Sequence, residues 1–532
     1  MSSMRWLLLA TLTLCGCRAQ APADAAQADF PYAELDIADL QARMQHGELD
    51  SRTLTQAYLD RIAVMDRAGP ALNSVIELNP AAIKEATLRD SERKAGKLLG
   101  PLHGIPILLK DNIDAVPMVN SAGSLALKDF HPSRDATLVR RLREAGAVIL
   151  GKTNLSEWAN IRSDKSTSGW SARGGLTRNP YLLDHNTCGS SAGSGVAVSA
   201  NLAAAAIGTE TDGSIICPSA INGLVGLKPT VGLVSRDGII PISFSQDTAG
   251  PMTRSVADAA VLLGVIAGRD DNDPATSRAA WNVALDYPSR LQPGALKGAR
   301  IGVMRSKFSI DPDAGAAMEA AIEVMRDAGA TVVDAEIPTE GQWEADELVL
   351  LLYELKAGLN RYFAAHATPM HSLEDVIEFN RRHADTEMRW FGQELFEQAQ
   401  AKGELSDPEY ITARNRARRL AGPEGIDAAL QAQQLDALIA PATSAAWLTD
   451  LAHGDSFSGA SYGAPAVAGY PSLTVPMGSN RDGLPLGIVF IGTAWSEPRL
   501  IGLGYAYEQL TRARKPPQYR PNAGTLAAAA TR

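Results

Sequence analysis

The chain has 532 residues, with 50 Lys and Arg against 60 Asp and Glu and a formal net charge of -10. No long basic run offsets that surplus, which argues against a nucleic-acid partner and favours solubility. Length alone leaves room for three domains, although large α/β enzymes often remain undivided.

Met1 to Arg5 holds one Arg, and Trp6 to Leu14 is an apolar run of nine residues. That is too short to span a membrane and has the length of a signal-peptide core. Leu14-Cys15-Gly16-Cys17 resembles a bacterial lipoprotein cleavage site, so residues 1–16 are expected to be removed and Cys17 acylated. Ordinary secretion, with cleavage among the Ala residues between Gln20 and Ala28, is the alternative. Both readings export the chain, and the first leaves it in the periplasm, held to a membrane only through Cys17. Residues 17–29 form an Ala-rich tether, residues 30–521 the folded part, and residues 522–532 a low-complexity, disordered tail.

Asp36 and Ser51 stand as N-caps before helical patterns at about 37–46 and 52–66. Gly104 to Leu109 is a short apolar run, a buried strand that delivers Lys110 to its end. An amphipathic helix from Ala136 to Ala145 and a strand from Val148 to Leu150 continue the alternation of an α/β sheet. Cys188 to Thr230 then carries almost no bulk or charge at its start: Gly189, Ser190, Ser191, Ala192, Gly193, Ser194 and Gly195 allow close backbone approach. Val196 to Ile207 is apolar or small on every side except Ser199 and Asn201, the pattern of a helix buried all round. Gly208 to Ser214 follows as a polar loop suited to presenting successive N–H groups to one point.

Arg269 to Gly294 is a polar connection to a βαβ-like unit. Its strands are Ala299 to Met304 and Thr331 to Ile337, and its helix, Asp313 to Ala328, has Met318, Ala321, Ile322 and Met325 on one face. No glycine fingerprint follows the first strand, so no nucleotide site is expected. Gln342 to Gln434 is helical and charged, with Tyr353, Phe363, Trp390 and Phe391 mostly as core. Leu435 to Pro441 and Ser472 to Pro476 return to the sheet. The eight histidines show no metal-ligand spacing, and neither metal nor cofactor is expected.

The central stretch, together with HGIPILLKDNID from His103, GKTNLSEWA from Gly151, DTAGPMTRSVADAA from Asp247, GYPSLTVPMG from Gly469 and GLPLGIVFIG from Gly483, resembles the amidase signature family of serine hydrolases. The resemblance covers nearly the whole mature chain. It implies one large α/β domain, with a mixed, mostly parallel central sheet covered by helices on both faces. It also implies a monomer and a triad of Lys110 as base, Ser190 as bridging serine and Ser214 as nucleophile. The step of 24 positions from Ser190 to Ser214 is the family's interval. The commonest form of the family has Asp where Glu210 stands, Gly at Asp212 and Arg at Cys217; this TETDGSI version resembles a bacterial peptide amidase branch. With Cys15 removed and Cys17 consumed, Cys188 and Cys217 remain beside the serines, close enough to pair if the serines meet, with two buried free thiols as the default.

Two rival motifs fail on context. Gly189-Ser190-Ser191-Ala192-Gly193 matches G-x-S-x-G, which would make Ser191 a nucleophile, but the polar turn Asp184-His185-Asn186-Thr187 stands where that motif needs a buried strand. Ser91-Glu92-Arg93-Lys94 matches S-x-x-K but lies in a run of charges on a solvated helix face.

Hydrolysis of a carboxamide needs an activated nucleophile, a stabilised oxyanion and a proton for the leaving nitrogen. Lys110 and Ser190 can relay the proton, and the backbone N–H groups of Thr211, Asp212, Gly213 and Ser214 are the oxyanion candidates. Lys110 must be neutral: lowering a lysine pKa from about 10.4 to about 7 takes roughly 4 to 5 kcal/mol of differential interaction, which burial can supply. Asp111 is adjacent, but neighbours on a strand face opposite ways and need not pair. The expected substrate is the C-terminal carboxamide of a peptide, with small aliphatic or aryl amides as the alternative. An exported binding lipoprotein on the same scaffold is a third reading. The amide-hydrolysing subunit of a tRNA-dependent amidotransferase conflicts with export.

Overall fold

Strands β1 (Val75–Leu78), β2 (Pro106–Lys110), β3 (Val148–Thr153), β4 (Trp170–Ser171), β5 (Gly175–Leu176), β6 (Ala205–Glu210), β7 (Val225–Lys228), β8 (Thr248–Thr253), β9 (Arg300–Val303), β10 (Thr331–Asp334), β11 (Ala437–Pro441), β12 (Ser472–Ser479) and β13 (Pro485–Ile491) organise the computed structural model of this chain. It describes residues 30–278 and 286–524; the expected leader and tether, and residues 525–532 of the expected tail, lie outside these. Apart from the β4–β5 ribbon, the strands form one sheet in the order β1-β3-β2-β6-β8-β7-β12-β13-β11-β9-β10.

The single large α/β domain with a mixed sheet is as expected, but the balance of pairings differs. β2 pairs parallel with β3 and β6, and β9 with β10 and β11. The other six neighbouring pairs are antiparallel. Parallel neighbours arise where a helix carries the chain back across the sheet: α4 (Thr137–Glu144) joins β2 to β3, and α8 (Pro312–Asp327) joins β9 to β10. β12 and β13 are joined by a short turn and must run antiparallel.

Helices cover both faces. Along β11 and β13, Ala437, Ile439, Ile488 and Phe490 enter one apolar cluster with Met318, Ile322 and Met325 of α8. The alternate residues Leu438, Ala440, Val489 and Ile491 enter another, with Ala417 and Leu420. A third cluster joins Leu355, Leu359 and Phe363 of α9 (Glu344–Ala365) to Trp158 and Phe396. Phe363 is therefore core, as expected, and Tyr353 is buried in a smaller cluster with Leu350 and Tyr410; Phe391 is also buried, while Trp390 is half-buried.

Asp36 caps α1 (Ile37–Gln45), accepting from Asp39 N at 2.7 Å. Ser51 does not cap α2 (Ser51–Arg61): Asp50 does, accepting from Thr53 N at 2.6 Å. Ser51 is instead the first helical residue, and its buried hydroxyl donates to Gly104 O at 2.8 Å, holding the lead-in to β2.

The largest correction concerns Val196 to Ile207. The helix there, α5, is Ala192–Ser199; the chain breaks at Asn201, which has φ 58°, and Ala205–Glu210 is β6. An apolar run buried on all sides suits a central strand as well as a helix, and here the ladders offered by β2 and β8 decide against alanine's helix propensity. The break is held by Asn201, which exchanges two 2.8 Å bonds with Glu34.

Gly193 lets α5 sit against the ends of the strands, since a Cβ there would lie 2.3 Å from Ser74 O and 2.5 Å from Asn154 O. Replacing it with Ala should overpack the site by about 1–3 kcal/mol or more, whereas Asp50→Ala should cost only about 1 kcal/mol of capping. Thermal unfolding of the two variants checks the order; an unchanged melting temperature for Gly193→Ala would contradict this packing.

Candidate active site

β6 runs parallel to β2 with Leu109 beside Ile207, which places Thr209 one residue beyond the level of Lys110. Lys110 is fully buried. Its Nζ lies 2.7 Å from Ser190 Oγ, 2.8 Å from Thr209 Oγ1 and 3.1 Å from Thr209 O. Thr209 Oγ1 also accepts from Asn112 Nδ2 at 3.0 Å. A neutral amine has two N–H donors and one lone pair: the donors serve the two Thr209 oxygens, and the lone pair is left for the Ser190 hydroxyl. The surroundings thus satisfy the neutral form in full. Burial lowers the lysine pKa from 10.5 to about 7, against the opposing pull of Asp247 and Glu210.

Neighbouring carboxylates are turned to other partners. Asp111 pairs with Lys152 and Arg173, each at 3.2 Å, on the opposite side of the strand. Glu210 accepts from the N–H groups of Ile215 and Ile216 at 2.6 and 2.9 Å, and desolvation raises its pKa. Asp247 accepts from Thr211 and from the backbone of Ile242 and Ser243. Among the described residues Lys110 has no ion-pair partner.

Ser190 and Ser214 line one cavity of 390 Å³. Ser190 is nearly covered, and Ser214, at 8 % exposure, is the more open of the two. Of the four oxyanion candidates, Thr211, Asp212 and Ser214 reach this cavity. Gly213, with φ 81°, packs so closely on the Tyr462 ring that a Cβ would lie 2.2 Å from it, and its N–H helps hold the Glu210 carboxylate. Ser191 is buried away from the cavity; its hydroxyl donates to Thr209 O at 3.0 Å and accepts from Thr209 N at 3.2 Å. That is a structural lock, and it removes Ser191 as a nucleophile. Ser91 sits in a helix and donates to Thr87 O, also without a catalytic setting.

The free-thiol expectation is overturned: Cys188 and Cys217 form a disulfide with Cα atoms 5.9 Å apart. The two serine segments lie side by side, with Ser191 N donating to Ser214 O at 3.2 Å and Asn222 Nδ2 bonding Thr187 O at 3.0 Å. The half-cystines on either side are thereby brought within bonding reach. The aromatic part of the remaining wall was not foreseen. Trp447, Phe457 and Tyr462 supply an aromatic side from a Gly- and Ser-rich segment, and Leu351 comes from α9. Opposite them Ala159 and Asn160 belong to a left-handed run, Trp158 to Asn160 at φ 51°, 55° and 74°, the kind of backbone that gathers at functional sites. Aromatics set among turn residues were the one available sequence signal. Thr209, which holds the lysine, carried none.

The family model for amidases matches residues 53–501. A probable amidase of Arabidopsis thaliana is 40 % identical over 501 residues, covering 92 % of this chain and 92 % of that protein. The solved structure of native peptide amidase from Stenotrophomonas maltophilia is 64 % identical with a TM-score of 0.89, covering 92 % of this chain and 99 % of that one. A peptide amidase structure with the competitive inhibitor chymostatin is 65 % identical with a TM-score of 0.90, at the same coverage.

With Lys110 as the base, its pKa of about 7 would make activity pH-dependent with a definite sign. Below that pH it is protonated, so kcat/KM for an uncharged amide should fall about tenfold per pH unit, and above it should level off. A profile measured from about pH 5 to about 9 that is flat, or that falls above 7, would exclude such a base.

Proposed function

This chain belongs to the amidase family and is an amide-hydrolysing enzyme, and from that premise we propose that it removes the C-terminal carboxamide of peptides, yielding the free acid and ammonia. The observation that carries the reading is the buried Lys110 amine on Ser190 Oγ, at the base of a cavity that Ser214 also lines. In the proposed cycle Ser214 Oγ attacks the amide carbonyl, its proton passes to Ser190, and the proton of Ser190 passes to Lys110 Nζ. Backbone N–H groups among Thr211, Asp212 and Ser214 hold the oxyanion. When the C–N bond breaks, the proton returns along the same path to the nitrogen and ammonia leaves. Water then repeats the steps on the acyl-enzyme and frees the acid.

Peptide specificity is supported by the TETDGSI form of the core and by the similarity to peptide amidases. An aromatic-lined cavity of 390 Å³ suits a peptide end more than acetamide. Small aliphatic or aryl amides remain the second reading, since the same serines would serve them and specificity lies in the pocket. A single chain supplies every group of the cycle, and we propose that it acts as a monomer. We also propose export and lipidation at Cys17; the Cys188–Cys217 disulfide supports an oxidising compartment.

Ammonia release and product mass should be measured for an amidated dipeptide, the same peptide extended by one residue, and benzamide. The amidated peptides should be hydrolysed only at the terminal amide; preference for benzamide rejects the peptide assignment and leaves the amidase intact. Lys110→Ala and Ser214→Ala should abolish turnover, Ser190→Ala should lower it by about 10²-fold or more, and Ser191→Ala should act mainly on stability. Mass spectrometry of the mature N-terminus tests the anchor: an unacylated start beyond Cys17 excludes lipidation and keeps export.

A further inference from the structure

We infer that Asp247 is a positioning residue for acyl transfer: its carboxylate clamps Thr211, in the loop before Ser214, to Ile242 and Ser243, and so keeps two walls of the catalytic cavity in register. The inference rests on Ser214 being the nucleophile. Asp247 Oδ1 accepts from Thr211 Oγ1 at 2.6 Å, and Oδ2 accepts from Ile242 N at 2.8 Å and Ser243 N at 2.9 Å. Its own N–H donates to Ser243 O at 3.1 Å. Thr211 and Ile242 both line the cavity that holds Ser190 and Ser214.

The neighbouring residue completes the grip. Gln246 Nε2 donates to Thr211 O at 3.2 Å and to Glu347 Oε1 on α9 at 2.8 Å. Thr211 is therefore held by its hydroxyl and its carbonyl at once, which leaves its N–H, a proposed oxyanion donor, little freedom to turn. The clamped segment is held in turn by Glu354 of α9, which accepts from Ser243 Oγ at 2.5 Å and Ser245 N at 2.9 Å. A carboxylate meets three donors here with acceptors alone. An asparagine would have to turn its NH2 toward either the hydroxyl or the two backbone N–H groups, so a nearly isosteric change breaks the clamp.

Asp247 also bears on the lysine. The charged groups around it are Lys110, Arg236, Glu210, Glu354 and, beyond Gln246, Glu347. Its negative charge opposes the loss of the lysine proton. Removing that charge should move the acid limb of the pH profile to lower pH, which a residue of purely structural importance would not do.

The test compares Asp247→Asn, Thr211→Val, Thr211→Ser, the Asp247→Asn/Thr211→Val pair and Ser214→Ala on one peptide amide. Asp247→Asn and Thr211→Val should each lower kcat about ten- to hundredfold with KM changed less than about threefold. The pair should be no worse than the poorer single variant, Thr211→Ser should retain activity, and the acid limb of Asp247→Asn should shift downward. Near-normal kcat in Asp247→Asn, or a pair whose losses multiply, overturns the clamp. If Asp247→Asn does not fold, equal kcat for Thr211→Val and Thr211→Ser overturns it, and a loss confined to Val supports it. Activity surviving in Ser214→Ala rejects the nucleophile assignment, whereas loss there with Asp247→Asn intact rejects only the clamp.

Discussion

The site depends on a lysine amine whose charge burial makes costly, its pKa lowered to about 7 at the centre of a folded protein. An amine at the end of β2 would ordinarily be charged at neutral pH, and burial alone makes that form costly. The cost becomes useful only if no carboxylate reaches the amine to offset it. Three carboxylates lie near, and each is committed elsewhere: Asp111 to Lys152 and Arg173, Glu210 to the amides of Ile215 and Ile216, Asp247 to Thr211 and the 242–243 backbone. Electrostatics at this site is governed as much by where negative charge is withheld as by where hydrogen bonds are made.

The second constraint is crowding. Lys110, Ser190 and Ser214 come from three separate stretches of chain, and the amine reaches Ser190 beside the cavity that Ser214 also lines only because backbones approach more closely than side chains allow. Gly208 in β6 shows this: a Cβ there would lie 2.9 Å from Ser191 Oγ, the hydroxyl that locks the Ser190 segment to Thr209. The disulfide adds a covalent tie across the same junction, at the position where the commonest family form carries Arg. α9 reaches this junction through Glu347, which accepts from Gln246, and through Glu354, so the helical layer and the 211–214 loop share one hydrogen-bond network.

Much of this was legible in the order of residues. The strand before Lys110, the amphipathic helix near 137–144, and the βαβ unit with Met318, Ile322 and Met325 on its inner face all follow from local periodicity, because a single buried face imprints its period on the sequence. The resemblance led to Lys110 and Ser190, which the fold brings to 2.7 Å. Local signals failed where two outcomes share one pattern. The run through Ala203 and Ile207 is apolar throughout, so its period carries no information, and its place between β2 and β8 makes it a strand. Ser51 and Asp50 are both good caps, and the need for a buried hydroxyl on Gly104 O sends Ser51 into the helix. Pairing of Cys188 with Cys217, the Thr209 hydroxyl beneath the lysine and the aromatic wall from 447–462 each join residues far apart in the chain. Apart from the aromatics set among turn residues, such contacts leave no trace in local composition, because what selects them is the distance between segments after the sheet has formed.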